Sequence, residues 1–166
     1  MRRNVTPDVP RPGQESAWDY PRPPRVEPGT ERIRIVLGGE LILDTVDSLR
    51  VLETSHPPVY YLPRSAFRPG ALAPAPGTSF CEFKGTAHYL TVRGGGAVAE
   101  AAAWFYPEPA KGYEALADRV AVYTGRMDYC EVEGERVRPQ AGGFYGGWIT
   151  DRVAGPFKGE PGTMGW

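Results

Sequence analysis

Two short stretches hold most of the side chains whose types and spacing could do chemistry. In "FCEFKGTAHYLTV", residues 80–92, Cys81, Lys84 and His88 fall within eight positions. In "ETSHPPVYYLPRSAF", residues 53–67, His56 precedes two prolines and two tyrosines. The chain has two histidines, His56 and His88, and two cysteines, Cys81 and Cys130. A thiol beside a histidine is the pair a cysteine nucleophile needs, because the neighbouring base draws off the sulfur's proton. Cys81 with His88 or His56 supplies those groups, although a cysteine inside apolar "FCEF" equally serves as a small buried hydrophobe. Lys84 is a second candidate. Desolvated in a pocket, its amine loses proton affinity and becomes a nucleophile or an anchor for an anion; at a solvated strand end it is an ordinary surface cation. Zinc would have to gather Cys81, Cys130, His56 and His88 from four separate places, with no C-x-x-C or H-x-x-x-H spacing to preorganise them. The sequence therefore predicts no metal site, calls for no cofactor, and reads as two reduced thiols.

The case for the His56 stretch is stiffness. Pro57 and Pro58 hold φ near about −65° and donate no hydrogen bond, so His56 sits on a rigid corner ahead of the strand "VYY". Tyr60 and Tyr61 must point to opposite faces of that strand. A preorganised wall costs little entropy on binding, and a corner between strands needs the same rigidity, so both uses are compatible.

The elements that must position these groups follow a period of two. "RIRIVL" alternates Arg32 and Arg34 with Ile33, Ile35 and Leu37, as a half-buried strand requires. Gly38 and Gly39 then turn the chain into "ELILDT". "AHYLTVRGGGAVAEAAAWFY" and "YCEVEGERVRP" carry two further hairpin signals, the second turning near Gly134. The alanines of "AVAEAAAWF" favour a helix, but pairing through a glycine turn with "LTV" makes the segment a strand. Gly85 marks an interruption or a close backbone approach within the strand "FCEFKGTAHYLTV". Beyond it, His88 and Thr86 share one face and Tyr89 and Ala87 the other. One helix is expected over "GYEALADRV", with Tyr113, Leu116 and Ala117 on one side. The predicted fold is mainly β: an antiparallel curved sheet of about seven to nine strands, or a small tent-like barrel, with one short helix.

Composition limits the alternatives. The chain has 166 residues, 41% hydrophobic, which suits one core. Nineteen Lys plus Arg against twenty Asp plus Glu leave a formal charge of −1, without the basic excess that phosphate neutralisation demands, so nucleic acid is not an expected partner. No apolar run is long enough to span a membrane, and "MRRNVTPDVP" has no apolar stretch behind its arginines; the expectation is a cytoplasmic protein with no membrane partner. Residues 1–30 read as a proline-rich extended tail whose Trp18 and Tyr20 either dock or stay free. Residues 31–138 form the β domain, and 139–166 a glycine- and aromatic-rich tail in which Phe144, Tyr145, Trp148, Phe157 and Trp166 are set to clamp against something. Docking on the chain's own domain is the first expectation, with a second subunit, and hence a homodimer, as the alternative.

The runs "VLETSHPPVYYLPRSAF", "FCEFKGTAHYLTV", "AAAWFYPEP" and "VAVYTGRMDYCEVEGERV" together resemble the bacterial DUF427 family (domain of unknown function), over roughly residues 31–138. "WDYPRPPRVEP" and "GGFYGGWITDRVAGPFKGEPGTMGW" resemble a subgroup carrying both tails. The resemblance implies a small antiparallel β domain related in shape to tent-like barrels, with a cleft lined by the motif residues. On this chain those are Glu53, His56, Tyr60 and Tyr61; Cys81, Lys84, His88 and Tyr89; and Trp104 and Tyr106. Some relatives of that shape hold zinc through paired C-x-x-C motifs, which this chain lacks. A nucleotidyltransferase-like label attached to the family finds no matching residues here: there is no Gly-Ser followed by a D-x-D pair, and "DTVD" has the wrong spacing for a metal and triphosphate. The reading that follows is a small-molecule-binding β domain. Its alternatives are an enzyme using Lys84, Cys81 or His56 in the same cleft, and an interaction protein with aromatic docking tails.

Overall fold

The computed structural model describes residues 5–166; Arg2 and Arg3, part of the N-terminal reading, lie outside the described residues. Alternation in "RIRIVL" becomes strand Ile33–Leu37, with Ile33 and Ile35 fully buried. Gly38 and Gly39, at φ of 60° and 75°, reverse it into Glu40–Thr45, the left-handed pair that a two-residue hairpin needs. Tyr129–Val132 pairs along the other side of Ile33–Leu37 and turns into Glu135–Arg136, completing a four-stranded antiparallel sheet.

The larger sheet has seven strands. In spatial order they are Arg25–Gly29, Ser48–Leu52, Val59–Pro63, Arg119–Val122, Ala97–Phe105, Gly85–Gly94 and Leu72–Cys81, each antiparallel to its neighbour. Ala97–Phe105 is a strand despite its alanines, because pairing on both edges overrides local propensity. Ala101 takes a φ of 50° where the register against Gly85–Gly94 shifts, a bulge that bends the strand.

No barrel closes among the described residues: the large sheet ends on the edge strands Arg25–Gly29 and Leu72–Cys81. The small sheet covers one face instead. Ile33, Ile35, Ile42 and Leu43 pack there with Leu62, Leu90, Val92, Val120 and Val122 in a mainly aliphatic core, so burial is achieved without closure.

The helix expected over "GYEALADRV" is a correction. Only Glu114–Leu116 forms a single 3-10 turn, and Arg119–Val122 is already in the sheet. Val120 and Val122 go into the aliphatic core while Ala121 joins the opposite face, a period-two demand that a helix cannot meet. "FCEFKGTAHYLTV" is likewise two strands rather than one: Cys81 pairs with Gly85 across a turn made by Glu82, Phe83 and Lys84. Leu72–Cys81 carries no sequence signal because Pro74 and Pro76 lack donors, and an edge strand is where prolines are tolerated.

Arg25–Gly29 belongs to the sheet although it falls within the proline-rich first 30 residues. Upstream, Glu15–Ser16 pairs in parallel with Val153–Ala154. Tyr20 is buried with its hydroxyl donating to Glu15 Oε1 at 2.8 Å, and Arg50 Nη2 donates to the same oxygen at 2.7 Å. Trp18 Nε1 donates to the Pro156 carbonyl at 2.8 Å, and its ring meets that of Trp166 at 5.3 Å. Trp148 is buried against Tyr60, ring centroids 5.0 Å apart. Among the described residues no helix is long and apolar enough to cross a membrane.

Candidate functional site

The face of the seven-stranded sheet away from the small sheet is built differently. Alternation places Tyr61, Ala87, Trp104 and Ala121 on it, joined by Tyr106 from just beyond the Ala97–Phe105 strand. Trp104 Nε1 donates to Tyr61 Oη at 3.2 Å, with the two rings edge-on at 90°. Tyr106 lies 6.3 Å from the Tyr61 ring and Tyr123 4.6 Å from that of Trp104. Tyr89 and Ser79 join their hydroxyls at 2.9 Å. Burial raises the phenol pKa of Tyr61 and of Tyr106, and pushes Tyr123 up to about 12. These hydroxyls stay protonated near neutrality, as hydrogen-bonding groups rather than phenolate nucleophiles.

Over this wall lies a cavity of about 290 Å³. One rim is the His56 corner. Ser55, buried, takes a left-handed φ of 68°, a strained state that a non-glycine residue keeps only where its surroundings hold it. Both terminal segments do so: Ser55 N donates to the Ala17 carbonyl at 3.0 Å, and Lys158 N donates to the Ser55 carbonyl at 2.8 Å. Glu53 accepts from Arg22 Nε at 3.0 Å and lies 3.9 Å from His56 Nε2.

The opposite rim comes from the C-terminal segment. Gly147 N donates to Gln140 Oε1 at 3.1 Å, so the amide nitrogen faces the other way, donating to the Lys158 carbonyl and to His56 Nδ1 at 3.3 Å. His56 Nδ1 is thereby an acceptor, and in the neutral ring the proton sits on Nε2 toward Glu53. Burial pushes the His56 pKa down to about 4; Glu53 opposes this, while Lys158, Arg22 and Lys84 add to it. The Tyr145 ring meets His56 at 5.3 Å. Gly146 lies against Trp104 so closely that a Cβ would fall inside the indole. Tyr123 Oη donates to the Phe144 carbonyl at 3.2 Å, tying the segment to the wall.

Eight of the ten residues singled out by sequence line this one cavity: Glu53, His56, Tyr61, Cys81, Lys84, Tyr89, Trp104 and Tyr106. Tyr60 and His88 do not. Tyr60 points into the aliphatic core against Trp148, and His88 is exposed, its ring 6.0 Å from Phe105. Both follow from parity, since each neighbours a residue that faces the cavity. Sequence reasoning missed Tyr123, Gln140 and Lys158. Tyr123 was legible, because it shares its face with Ala121; Gln140 and Lys158 arrive on the returning C-terminal segment, and nothing near them in sequence signals it. Lys158 reads in sequence as an ordinary surface lysine, but it stands on the cavity wall.

His56, Cys81 and Lys84 line the same cavity, but among the described residues no hydrogen bond joins His56 to Cys81. His56 directs its side-chain contacts to Gln140, Glu53 and Tyr145 rather than to Cys81. Cys81 and Cys130 are both free thiols; Cys130 is buried in the aliphatic core, which raises its pKa. Among the described residues no group of three or more His, Cys, Asp or Glu side chains gathers as a metal would need.

The arrangement defines a class: an antiparallel two-sheet β domain with an aromatic cavity on the outer face of its larger sheet. The chain belongs to the family described as Domain of unknown function (DUF427), whose profile matches residues 25–133. That match begins at the edge strand Arg25–Gly29 and ends beside the Glu133–Gly134 turn. A comparison with curated proteins finds no match.

Proposed function

We propose that the domain binds a small, partly polar molecule in the cavity over the Tyr61–Trp104 wall. The observation that supports this most directly is the convergence of rigid aromatic rings and polar tips from segments far apart in sequence on a preformed space of about 290 Å³. That volume is at the small end of the range typical of ligand sites, of the order of 300–1,000 Å³, and suits a molecule of one or two rings. The walls are already locked: Trp104 by Tyr61, Gln140 by three partners, and the His56 corner by both terminal segments. Little ordering entropy remains to oppose binding. Native mass spectrometry of the protein purified from its host should show a small-molecule adduct on the folded chain that is released on denaturation. No adduct, together with no rise in melting temperature across a library of one- and two-ring compounds, would remove the proposal's support.

A further inference from the structure

We propose that the ligand class of this cavity is an aromatic molecule carrying an anionic group, with the rings against the Tyr61–Trp104 wall and the anion between Lys84 and Lys158. The proposal rests on the binding reading above and narrows it. Lys84 and Lys158 both line the cavity and are half-buried. Among the described residues neither forms an ion pair, although nine arginines do. Each holds its ammonium 5.9 Å from a tyrosine ring centroid, Lys84 over Tyr106 and Lys158 over Tyr145, and Lys158 Nζ donates only a long 3.5 Å bond to the Trp166 carbonyl. Both act on the same corner, since both oppose protonation of His56.

Glu53 and Glu82 also line the cavity, but among the described residues neither pairs with a lysine: Glu53 is engaged by Arg22 at 3.0 Å, and Glu82 is exposed on the turn. A cationic ligand would meet two ammonium groups on the cavity wall and be disfavoured. A neutral ring would gain stacking but leave both cations unused. Lysine acts as a point charge rather than as a planar fork, so a carboxylate and a phosphate satisfy the site by the same chemistry. The aromatic part is set by the walls: Trp104, Tyr106 and Tyr145 present rings to a space one or two rings in volume.

Binding of 2-naphthoate, naphthyl phosphate and neutral 2-naphthamide, measured by calorimetry on the full chain, tests the proposal. At least one anion should bind about tenfold more tightly than the amide, the gain of a single charge-assisted contact. Lys84→Met with Lys158→Met should abolish that preference while keeping affinity for the amide, and Lys111→Met, an exposed lysine away from the cavity, should change nothing. Whether the carboxylate or the phosphate is preferred identifies the source of the anion. Equal binding of all three probes, with no effect of the double variant, would overturn the anion assignment and leave the binding cavity standing. Binding of none of them would overturn the anion assignment, and the adduct and melting-temperature tests above then decide the binding reading. A melting temperature within the wild-type range for each variant shows that the fold is retained.

Discussion

The two faces of the seven-stranded sheet are made by the same strands and are built from different side chains. One face, under the small sheet, is mainly aliphatic: Leu62, Val92, Val120 and Val122 are all fully buried, with Tyr60, Phe67 and Trp148 as the aromatic members of the same core. The other is aromatic and tipped with hydroxyl, indole and imidazole groups, each with an identified partner. Along Val59–Pro63 the division changes residue by residue, with Tyr60 and Leu62 on one side and Tyr61 on the other. Apolar burial is non-directional and supplies stability, whereas aromatic groups with fixed polar tips supply recognition at little entropic cost. The two kinds of surface are separated in this domain by the parity of a residue along its strand, and on the binding proposal above so are stability and recognition.

Leu62→Ala attacks the aliphatic face and has the largest expected effect, a loss of about 2–5 kcal/mol, because the cavity left under the small sheet cannot fully collapse. Urea unfolding measures it; a loss under about 1 kcal/mol would mean that the two sheets are loosely packed and that the division drawn between the faces is wrong.

An intermediate effect comes from His56 and depends on pH. The folded ring resists protonation down to about 4, against 6.5 for an ordinary histidine. Between those values the unfolded chain binds more protons, so the neutral-histidine contribution is fully present above pH 6.5 and fades as pH falls toward 4. With a side chain only 13% exposed, the contribution reaches at most about 3 kcal/mol. His56→Asn keeps an acceptor for Gln140 but cannot titrate, so its unfolding free energy should fall less steeply with acid than that of the wild type. Parallel pH profiles of the two proteins would show that the corner is open to water.

The smallest expected effect is that of Tyr61→Phe. Removing the hydroxyl leaves the Trp104 indole N–H without its acceptor but creates no large void, so about 1–2 kcal/mol is expected, with a shift in tryptophan emission that reports the lost bond. If the two faces are separable, this variant also weakens ligand binding more than it weakens the fold, which Leu62→Ala should not do.

The DUF427 match and the strand pattern agree because both are carried by local features. Alternation of "RIRIVL", the glycine pair at 38 and 39 with φ of 60° and 75°, and the stiffness of Pro57 and Pro58 depend on neighbouring residues alone, and these were legible. Parity also decided which side chains of Gly85–Gly94 could reach the cavity: Ala87 and Tyr89 go together, and His88 goes opposite. The tertiary structure alone decided the rest. It made "GYEALADRV" a turn and a strand because Val120 and Val122 had a core to enter, and it folded "FCEFKGTAHYLTV" into a hairpin because Leu72–Cys81 lay ready to pair. It left the sheet open because a second sheet covered its face. Gln140 and Lys158 reach His56 from 84 residues away and more, a closure whose free energy is gathered from contacts across the whole chain, and short-range periodicity carries no record of it.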